Sequence, residues 1–220
     1  MDAEYWLDGW RHDHKPFHQR RINPHLQAHW SRLDPGKDAR VLVPLCGRSL
    51  DMGWIASQGC RVLGVELAPE PVRAFFDELG QEPVCQDLPP FRRWCAQNLE
   101  LLQGDFFRLN PEHTSDCRAI YDRASLPALP PEMRQLYAST LSRVAPIGCR
   151  SLLIVPVYEQ SQMQPPPFSV DHEEVMSLFG PHWSVELLEE QEMPVAPRFA
   201  ERGLKGIRER VYLLRRGESS

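Results

Sequence analysis

The sequence predicts an α/β fold: a mostly parallel sheet of seven strands with an antiparallel edge strand, helices on both faces and an N-terminal helical cap. Short apolar runs alternate with segments that carry helix caps and stops, which is typical of parallel βαβ crossovers. The first run, Val41-Leu42-Val43, is apolar on both sides, as expected of a buried parallel strand. The chain of 220 residues has room for one such domain. We therefore expect one Rossmann-like domain, with a cap over residues 1–36 and the core over residues 37–220.

Capping signals set the elements of the first half. Asn23-Pro24 fits a helix start, with asparagine as the N-cap and proline at the first helical position. Ser49 caps a second helix, and Gly59 stands where a left-handed C-cap residue is favoured. The predicted elements are a helix through Trp30, a strand Ala39–Pro44, a helix to Gln58, a strand Arg61–Glu66 and a helix Pro71–Leu79.

The second half continues the alternation and ends in a strand pair. Asp171 with Glu174 makes a capping-box-like helix start, and the helix ends at Phe179-Gly180. The other predicted elements are strands Leu99–Gln103, Arg118–Asp122 and Arg150–Val157, a helix Pro131–Val144, and closing strands Trp183–Leu188 and Val211–Leu214. We expect the closing pair to form the antiparallel edge of the sheet.

Charge and hydropathy exclude several kinds of partner. The net charge is -5 and the basic residues are scattered apart from an arginine-rich tail, so the basic stripe of a nucleic-acid-binding protein is missing. No apolar run is long enough for a signal peptide or a membrane span. We expect a small-molecule acceptor, no nucleic acid, no membrane and a monomeric chain.

The cysteines indicate a reducing compartment. The six residues are widely spaced with no CxxC pair, unlike a zinc site or a small disulfide framework. We therefore expect reduced thiols, a cytoplasmic location and no metal.

The strongest local feature is the loop Leu45-Cys46-Gly47-Arg48-Ser49 between the first strand and its helix. The second strand ends in Glu66, and an acid about 20 residues beyond such a loop can accept both hydroxyls of a ribose. With one glycine the loop does not match the GxGxxG pyrophosphate fingerprint, so a nucleoside is favoured over a dinucleotide. Alternatively, Gly47 only permits a tight turn and Glu66 is a solvated strand-end residue.

A family resemblance extends this pattern over essentially the whole chain. The segment Val41-Leu42-Val43-Pro44-Leu45-Cys46-Gly47-Arg48-Ser49-Leu50-Asp51 resembles the nucleotide loop of thiopurine methyltransferases, especially bacterial ones. Other similar segments, in the same order, are Gly64-Val65-Glu66-Leu67, Gly104-Asp105-Phe106-Phe107, Tyr121-Asp122-Arg123-Ala124, Leu129-Pro130-Pro131, Pro166-Pro167-Phe168 and Val211-Tyr212-Leu213-Leu214. The family's N-terminal pattern is present as Trp6, Trp10 and Phe17-His18.

The resemblance implies S-adenosylmethionine as cofactor, S-adenosylhomocysteine as product, and a set of site residues. Contacts to the cofactor are implied for Trp10, Leu45, Glu66 and Arg123, and Asp105-Phe106 would flank the adenine. Phe17 aligns with a position that lines the acceptor pocket, and Arg202 resembles a second arginine on the substrate side. His18, beside Phe17, is interpreted as structural.

Several of these residues also have a direct physical interpretation. An aromatic face such as Trp10 near a sulfonium gains cation–π attraction of roughly 0.5–2 kcal/mol. The guanidinium of Arg123, after a strand end, could hold the methionine carboxylate or approach the acceptor. A flat wall at Phe17 suits a planar heterocycle. Alternatively, Trp10 is a core or amphipathic-helix residue, Arg123 forms an exposed salt bridge, and Phe17 belongs to a hydrophobic staple.

The predicted activity is S-methyl transfer to thiopurines or related aromatic and heterocyclic thiols, with selenium and tellurium species as further acceptors and metalloid detoxification as a role. A soft nucleophile needs little help from a base, so no residue is predicted as an obligatory acid or base, and Arg123 is a positioning residue. The other hypotheses are a thiol, thiocyanate or halide methyltransferase and a cofactor-binding module without turnover. A dehydrogenase is disfavoured by the missing glycines.

Three departures from the family pattern affect the acceptor side. Arg48 stands where the family usually has lysine, the stretch from Cys85 to Gln97 is an unusual variant, and Glu159 to Gln164 has no recognisable pattern. The acceptor is therefore the least determined part of the prediction.

Overall fold

The fold is described from a computed structural model that covers residues 3–11, 19 and 21–218. The helices are α1 (Ala3–Arg11), α2 (Pro24–Leu33), α3 (Leu50–Ser57), α4 (Pro69–Glu78), α5 (Pro111–Thr114), α6 (Ser125–Ala128), α7 (Pro131–Val144), α8 (His172–Phe179) and α9 (Pro197–Ala200). The strands are β1 (Arg40–Val43), β2 (Arg61–Glu66), β3 (Val84–Leu88), β4 (Phe91–Ala96), β5 (Leu99–Gln103), β6 (Cys117–Arg123), β7 (Arg150–Val157), β8 (Trp183–Met193) and β9 (Ile207–Arg216).

The strands form a single mixed sheet in the order β3-β4-β5-β2-β1-β6-β7-β9-β8. The central strands β5, β2, β1, β6 and β7 are parallel to one another. Among the described strands, β4 and β9 run against the others, because β4 is antiparallel to β3 and β5 while β9 is antiparallel to β7 and β8. The closing pair predicted from the sequence is thus the antiparallel edge of the sheet.

The predicted count of seven strands is wrong, because the sheet has nine strands within the described residues. The additional pair is the hairpin of β3 and β4, within the stretch that departs from the family pattern. Every residue of β3 is exposed, so its sequence carries no apolar period. In β4, Phe91 and Trp94 are buried on opposite faces of the sheet and belong to different core clusters, which also hides the alternation.

Capped elements lie close to their predicted bounds. The carboxamide oxygen of Asn23 accepts hydrogen bonds from the backbone N–H groups of His25 and Leu26, so it caps α2 as predicted. Ser49 caps α3 through the N–H of Asp51. The side chain of Asp171 accepts the N–H of Glu174 at the start of α8. Local capping chemistry therefore fixes where these helices begin.

Both faces of the sheet are buried. One face packs against α7 and α8, which contribute Tyr137, Leu141 and Phe179 to its core. The other face packs against α2, α3 and α4, which contribute Leu26, Ile55, Phe75 and others. This two-sided burial explains why the central strands are almost continuously apolar. None of the helices in the described part of the chain is long and apolar enough to cross a membrane.

Candidate functional site

The loop after β1 turns sharply at the carboxyl edge of the sheet. Leu45 has a φ of 45° and Gly47 a φ of 53°, both in the left-handed region. The N–H of Cys46 donates to the carbonyl of Val65 over 3.0 Å, which ties the loop to the end of β2. A non-glycine residue such as Leu45 is uncommon in this conformation, and such strain often marks a binding site.

Glu66 is held under this loop by backbone hydrogen bonds. Its Oε2 accepts the N–H of Gly47 and its Oε1 accepts the N–H of Ala68, each over 2.9 Å. The residue is only 7% exposed, and this burial raises the pKa of its carboxyl group. Each oxygen keeps a second lone pair, so an oriented carboxylate at this strand end fits the two hydroxyls of a ribose.

Gly64 lets the loop approach β2 closely. A Cβ at this position would lie 2.9 Å from the Sγ of Cys46 and 3.0 Å from the Cγ of Leu101. The approach to Cys46 is closer than a Cβ atom tolerates, and the approach to Leu101 would require that side chain to shift. The glycine therefore permits the packing of Cys46 that sets the height of the loop above the sheet.

Trp10 of α1 lies against the same loop. A Cβ on Gly47 would be 3.3 Å from Cζ2 of the half-buried indole. The structure thus brings three of the predicted cofactor residues together, Trp10, Leu45 and Glu66, although they come from a helix, a loop and a strand end. The absence of a side chain at Gly47 permits this close approach of the indole to the loop backbone.

The ends of β5 and β2 are joined at the predicted adenine position. The N–H of Gly104 donates to the carbonyl of Glu66 over 2.8 Å. Asp105 is exposed, and its Oδ1 caps a 3-10 turn by accepting the N–H of Phe107 over 2.9 Å. The ring of Phe106 is 2% exposed and stacks on Tyr137 with 5.0 Å between centroids. The backbone of Phe106, and not its ring, is therefore the part that can face a ligand.

The end of β6 carries the Asp-Arg step. Asp122 is fully buried and accepts a hydrogen bond of 2.7 Å from the hydroxyl of Tyr137. Burial raises the pKa of Asp122 to about 6, although this hydrogen bond acts in the opposite direction. Arg123 is half-buried, and Ala124 after it has a φ of 71°. Ser125 donates to the carbonyl of Pro44 over 3.3 Å, so this turn is tied to the loop after β1.

Arg202 lies in the connection between β8 and β9, on the surface. Its guanidinium donates to the carbonyl of Pro166 over 3.1 Å and to that of Gln164, and so joins two loops. Arg198 and Arg202 flank the ring of Phe199, with their Cζ atoms 4.7 and 6.0 Å from its centroid. Partial burial and the guanidinium groups of Arg123 and Arg202 lower the pKa of Arg198. These arginines therefore create a positive potential on this side.

The other predicted substrate residue is Phe17, in the N-terminal segment. Phe17, predicted to line the acceptor pocket, and its neighbour His18 lie outside the described residues.

Comparison with known proteins decides the family. The family model described as thiopurine S-methyltransferase (TPMT) matches residues 1–217. The chain belongs to the thiopurine S-methyltransferase family. A thiopurine S-methyltransferase of Azotobacter vinelandii (strain DJ / ATCC BAA-1303) is 47% identical over 98% of this chain and 100% of its own length. One from Xanthomonas axonopodis pv. citri (strain 306) is 46% identical, with the same shares covered.

Solved structures share the fold at low identity. A protein studied for the conversion of a disulfide bond into a thioacetal group during echinomycin biosynthesis has a TM-score of 0.69 and 16% identity, over 99% of this chain and 93% of its own. A TehB-like SAM-dependent methyltransferase from Corynebacterium glutamicum ATCC 13032 Kitasato has a TM-score of 0.56 and 13% identity, over 97% and 95%. These likenesses concern the fold alone.

Membership of the thiopurine S-methyltransferase family confirms three predictions: the fold class, S-adenosylmethionine as the cofactor and S-methyl transfer as the activity. The roles assigned to single site residues and the extent of the N-terminal cap stay predictions.

Asp51, Asp122 and Arg198 were not predicted from the sequence to have a role in the site. Asp51 is 2% exposed; its Oδ2 accepts the hydroxyl of Tyr121 and its Oδ1 accepts the N–H of Asn23, each over 2.8 Å. It therefore anchors the start of α2 to β6 and α3, beneath the loop. Asp51 and Asp122 both lie inside the segments that resemble the family. An acidic residue among apolar neighbours was the signal that could have indicated their buried role. No sequence pattern around Arg198 indicated a role, because Arg198 comes near Arg123 only in the folded chain.

Proposed function

We propose that this chain methylates the sulfur atom of thiopurines or related aromatic and heterocyclic thiols, and that selenium and tellurium species are further acceptors. The observation that carries the proposal is the convergence of Trp10, Gly47 and Glu66 at one edge of the sheet. The relatives named thiopurine S-methyltransferase, 46–47% identical over almost the whole chain, support the choice of acceptor.

The cofactor end of the site is built from backbone and one carboxylate. In the proposal, Glu66 accepts the ribose hydroxyls, the backbone of Leu45 and Gly47 lies along the nucleoside, and Trp10 covers it. Asp105 and the backbone of Phe106 flank the adenine, and Arg123 pairs with the methionine carboxylate. When bound, the cofactor supplies an electrophilic methyl group on a sulfonium. The protein's task is then to orient it toward the acceptor.

The acceptor end is proposed to be rich in positive potential. Arg198 and Arg202 flank Phe199, and their guanidinium groups favour the anionic form of a thiol or selenol. A soft anion attacks without a general base, so no residue has to remove a proton during the step. Holding the two reactants in a near-attack arrangement can contribute roughly 7–11 kcal/mol in well-oriented systems. Exclusion of water by Trp10 and Phe17 adds to this, because charge is neutralised in the transition state.

The remaining expectations are proposals of the same kind. We propose a monomer with small-molecule partners, acting on neither nucleic acid nor membrane, in the cytoplasm. All six cysteines are free in the structure, which agrees with a reducing compartment.

A labelled-methyl assay over a panel of acceptors tests the proposal. Label should appear in a thiopurine, with selenite-derived and tellurite species as further acceptors. Label only in thiocyanate or halide would favour the alternative methyltransferase. Tight binding of S-adenosylhomocysteine without transfer to any acceptor would favour a module without turnover.

One variant and its control test the assignment of Arg198 to the acceptor end. Arg198→Gln should raise KM for an anionic acceptor while the affinity for S-adenosylhomocysteine stays unchanged. Arg118→Gln is the matched control, because Arg118 is exposed at the amino end of β6, on the opposite edge of the sheet. Equal effects of the two substitutions on KM would contradict the assigned acceptor end.

A further inference from the structure

Two histidines and two glutamates meet on the face of the sheet that α2 covers. Nδ1 of His25 lies 3.3 Å from Oε2 of Glu189, and Nε2 of His29 lies 2.7 Å from the same oxygen. On its other side, Nε2 of His25 lies 3.3 Å from Oε2 of Glu209. The ligand atoms of His25, His29 and Glu189 all lie within 4.8 Å of one another.

The elements place these groups together in specific ways. His25 and His29 are four residues apart in α2, so they project from the same face of the helix. In β8 the pairing with β9 shifts between Leu187 and Glu189, which leaves Leu188 as an extra residue. Such a bulge changes which side of the sheet the following residues face. It explains how Glu189 comes to lie against α2 although Glu186, an odd number of residues earlier, also contacts α2 through Arg32.

The buried imidazole of His25 has a carboxylate oxygen beside each of its ring nitrogens. Nε2 of His25 and Oε2 of Glu209 form an ion pair at 3.3 Å without the geometry of a hydrogen bond, and the side chain of His25 is only 3% exposed. In a neutral imidazole one ring nitrogen carries no proton. Because each ring nitrogen of His25 faces a carboxylate oxygen, either neutral tautomer leaves one lone pair directed at an oxygen. A cation at one of the ring nitrogens, either a proton or a metal ion, removes this repulsion.

We propose that His25, His29 and Glu189 bind a divalent first-row transition-metal cation such as Zn²⁺, with Glu209 as the partner that orients His25. Zinc takes imidazole nitrogen and carboxylate oxygen at 2.0–2.2 Å, so tetrahedral ligand atoms lie roughly 3.4 Å apart. The observed distances of 2.7 and 3.3 Å from Oε2 of Glu189 to the two imidazole nitrogens are close to that separation.

Glu209 completes the arrangement expected around such an ion. With the metal on Nδ1, His25 carries its proton on Nε2 and donates it to Glu209. A metal-binding histidine commonly donates its other ring N–H to a carboxylate in this way. The side chains of His29 and Glu189 are 18% and 36% exposed, so solvent can supply the remaining ligand.

The proposed ion would crosslink α2 to the edge of the sheet. It would link a helix near the N-terminus to β8, with β9 behind it, and binding to the folded chain alone stabilises that chain. The proposal is independent of the acceptor and of turnover. A protonated His25 between the two glutamates is the competing arrangement.

Metal titration of the full chain tests the proposal. Protein stripped with a chelator is titrated with Zn²⁺ by calorimetry, and with Co²⁺ while the visible absorption is recorded. We expect one ion per chain with an affinity of roughly micromolar or tighter, a raised Tm and a Co²⁺ spectrum without thiolate bands.

The variants are chosen so that the fold survives. His29→Asn and Glu189→Gln change partly exposed ligands, and each should weaken Zn²⁺ binding at least about tenfold, with Glu209→Gln weakening it less strongly. His182→Asn and Glu192→Gln, at exposed positions, are the matched controls and should bind as the wild type does. A Cys85→Ser, Cys95→Ser protein should also keep full affinity.

Three outcomes overturn the proposal. The first is no saturable Zn²⁺ binding to folded protein, which leaves the protonated arrangement. The second is binding that His29→Asn and Glu189→Gln leave unchanged. The third is binding that the double cysteine variant abolishes.

Discussion

At the residue scale, Asp122 gives the site a titratable group with a defined pH window. Its pKa is about 6 in the folded chain, above the ordinary 3.8, because the carboxylate is buried. Between these values the folded state holds a proton that the unfolded state releases, so the stability contributed by this group falls as pH rises. The cost is absent below pH 3.8 and fully present above about 6.

Asp122→Asn should remove this dependence. The difference in free energy of unfolding between Asp122→Asn and the wild type should shift in favour of the variant by about 2–3 kcal/mol from pH 4 to pH 7. One unit of pKa corresponds to 1.36 kcal/mol. Urea denaturation at several pH values measures the difference, in which the contribution of Glu66 cancels. Parallel pH profiles for the two proteins would show that Asp122 is not the titrating group.

Gly64 is a second residue with a sharp prediction. Gly64→Ala should lower the free energy of unfolding by about 1–3 kcal/mol, because the added methyl group overlaps Cys46 and Leu101. It should also weaken cofactor binding, since Cys46 carries the loop. Gly206→Ala is the control, because nothing lies within 4 Å of a Cβ there. Thermal denaturation compares the two, and equal stability would contradict the close packing.

At the residue scale, the sequence predicted the positions of those site residues that stand at the end of a strand, and few others. Glu66 could be placed because an acid that ends β2 must lie beside the loop after β1. The contact of Trp10 with Gly47 could not be predicted, because nothing in the spacing tells where α1 packs; only the assignment of Trp10 to the cofactor was made, from the family resemblance. The proposed metal ligands His25, His29 and Glu189 were not predicted for the same reason, since they are brought together from α2 and β8.

At the scale of elements, Asp51 connects the start of α2 to the sheet. Asp51→Ala would leave the N–H of Asn23 and the hydroxyl of Tyr121 buried without their acceptor. We expect a loss of about 2–4 kcal/mol, since each unsatisfied donor costs about 1–3 kcal/mol. Tyr121→Phe removes only one of the two bonds and should cost less.

Urea denaturation measures these stabilities, and amide hydrogen exchange reports on α2 directly. Exchange in α2 should accelerate in Asp51→Ala and stay slow in Tyr121→Phe. A loss below about 0.5 kcal/mol for Asp51→Ala, typical of surface substitutions, would contradict the anchoring role.

The accuracy of the predicted elements follows from where their signals lie. Helices α2, α3 and α8 carry side-chain caps, which are local in sequence, and their starts were predicted well. Strand β8 extends beyond its prediction because its charges are paired with those of β9: Glu190 binds Arg208 and Arg210. Cross-strand pairs of this kind stabilise a strand that has no apolar period.

At the scale of the whole molecule, the fold collects the site at one edge. The loops after β1, β2, β5 and β6 come from distant parts of the chain, yet parallel strands bring their carboxyl ends together. The N-terminal helix then supplies Trp10 from outside the sheet. The fold class and cofactor were therefore predictable, whereas Arg198, which we propose for the acceptor end, lies between β8 and β9 and carries no local signal in the sequence.

Calorimetric titration with S-adenosylhomocysteine tests the central claim, that the loop after β1 and Glu66 hold the cofactor. The wild type should bind one molecule per chain. Glu66→Ala should bind about 10- to 100-fold more weakly, because hydrogen bonds to a charged group contribute about 1.5–3 kcal/mol and 1.4 kcal/mol corresponds to a factor of ten. Glu82→Ala, at an exposed position, should bind as the wild type does. Folded wild-type protein that gives no heat, or Glu66→Ala that binds with undiminished affinity, would contradict the account.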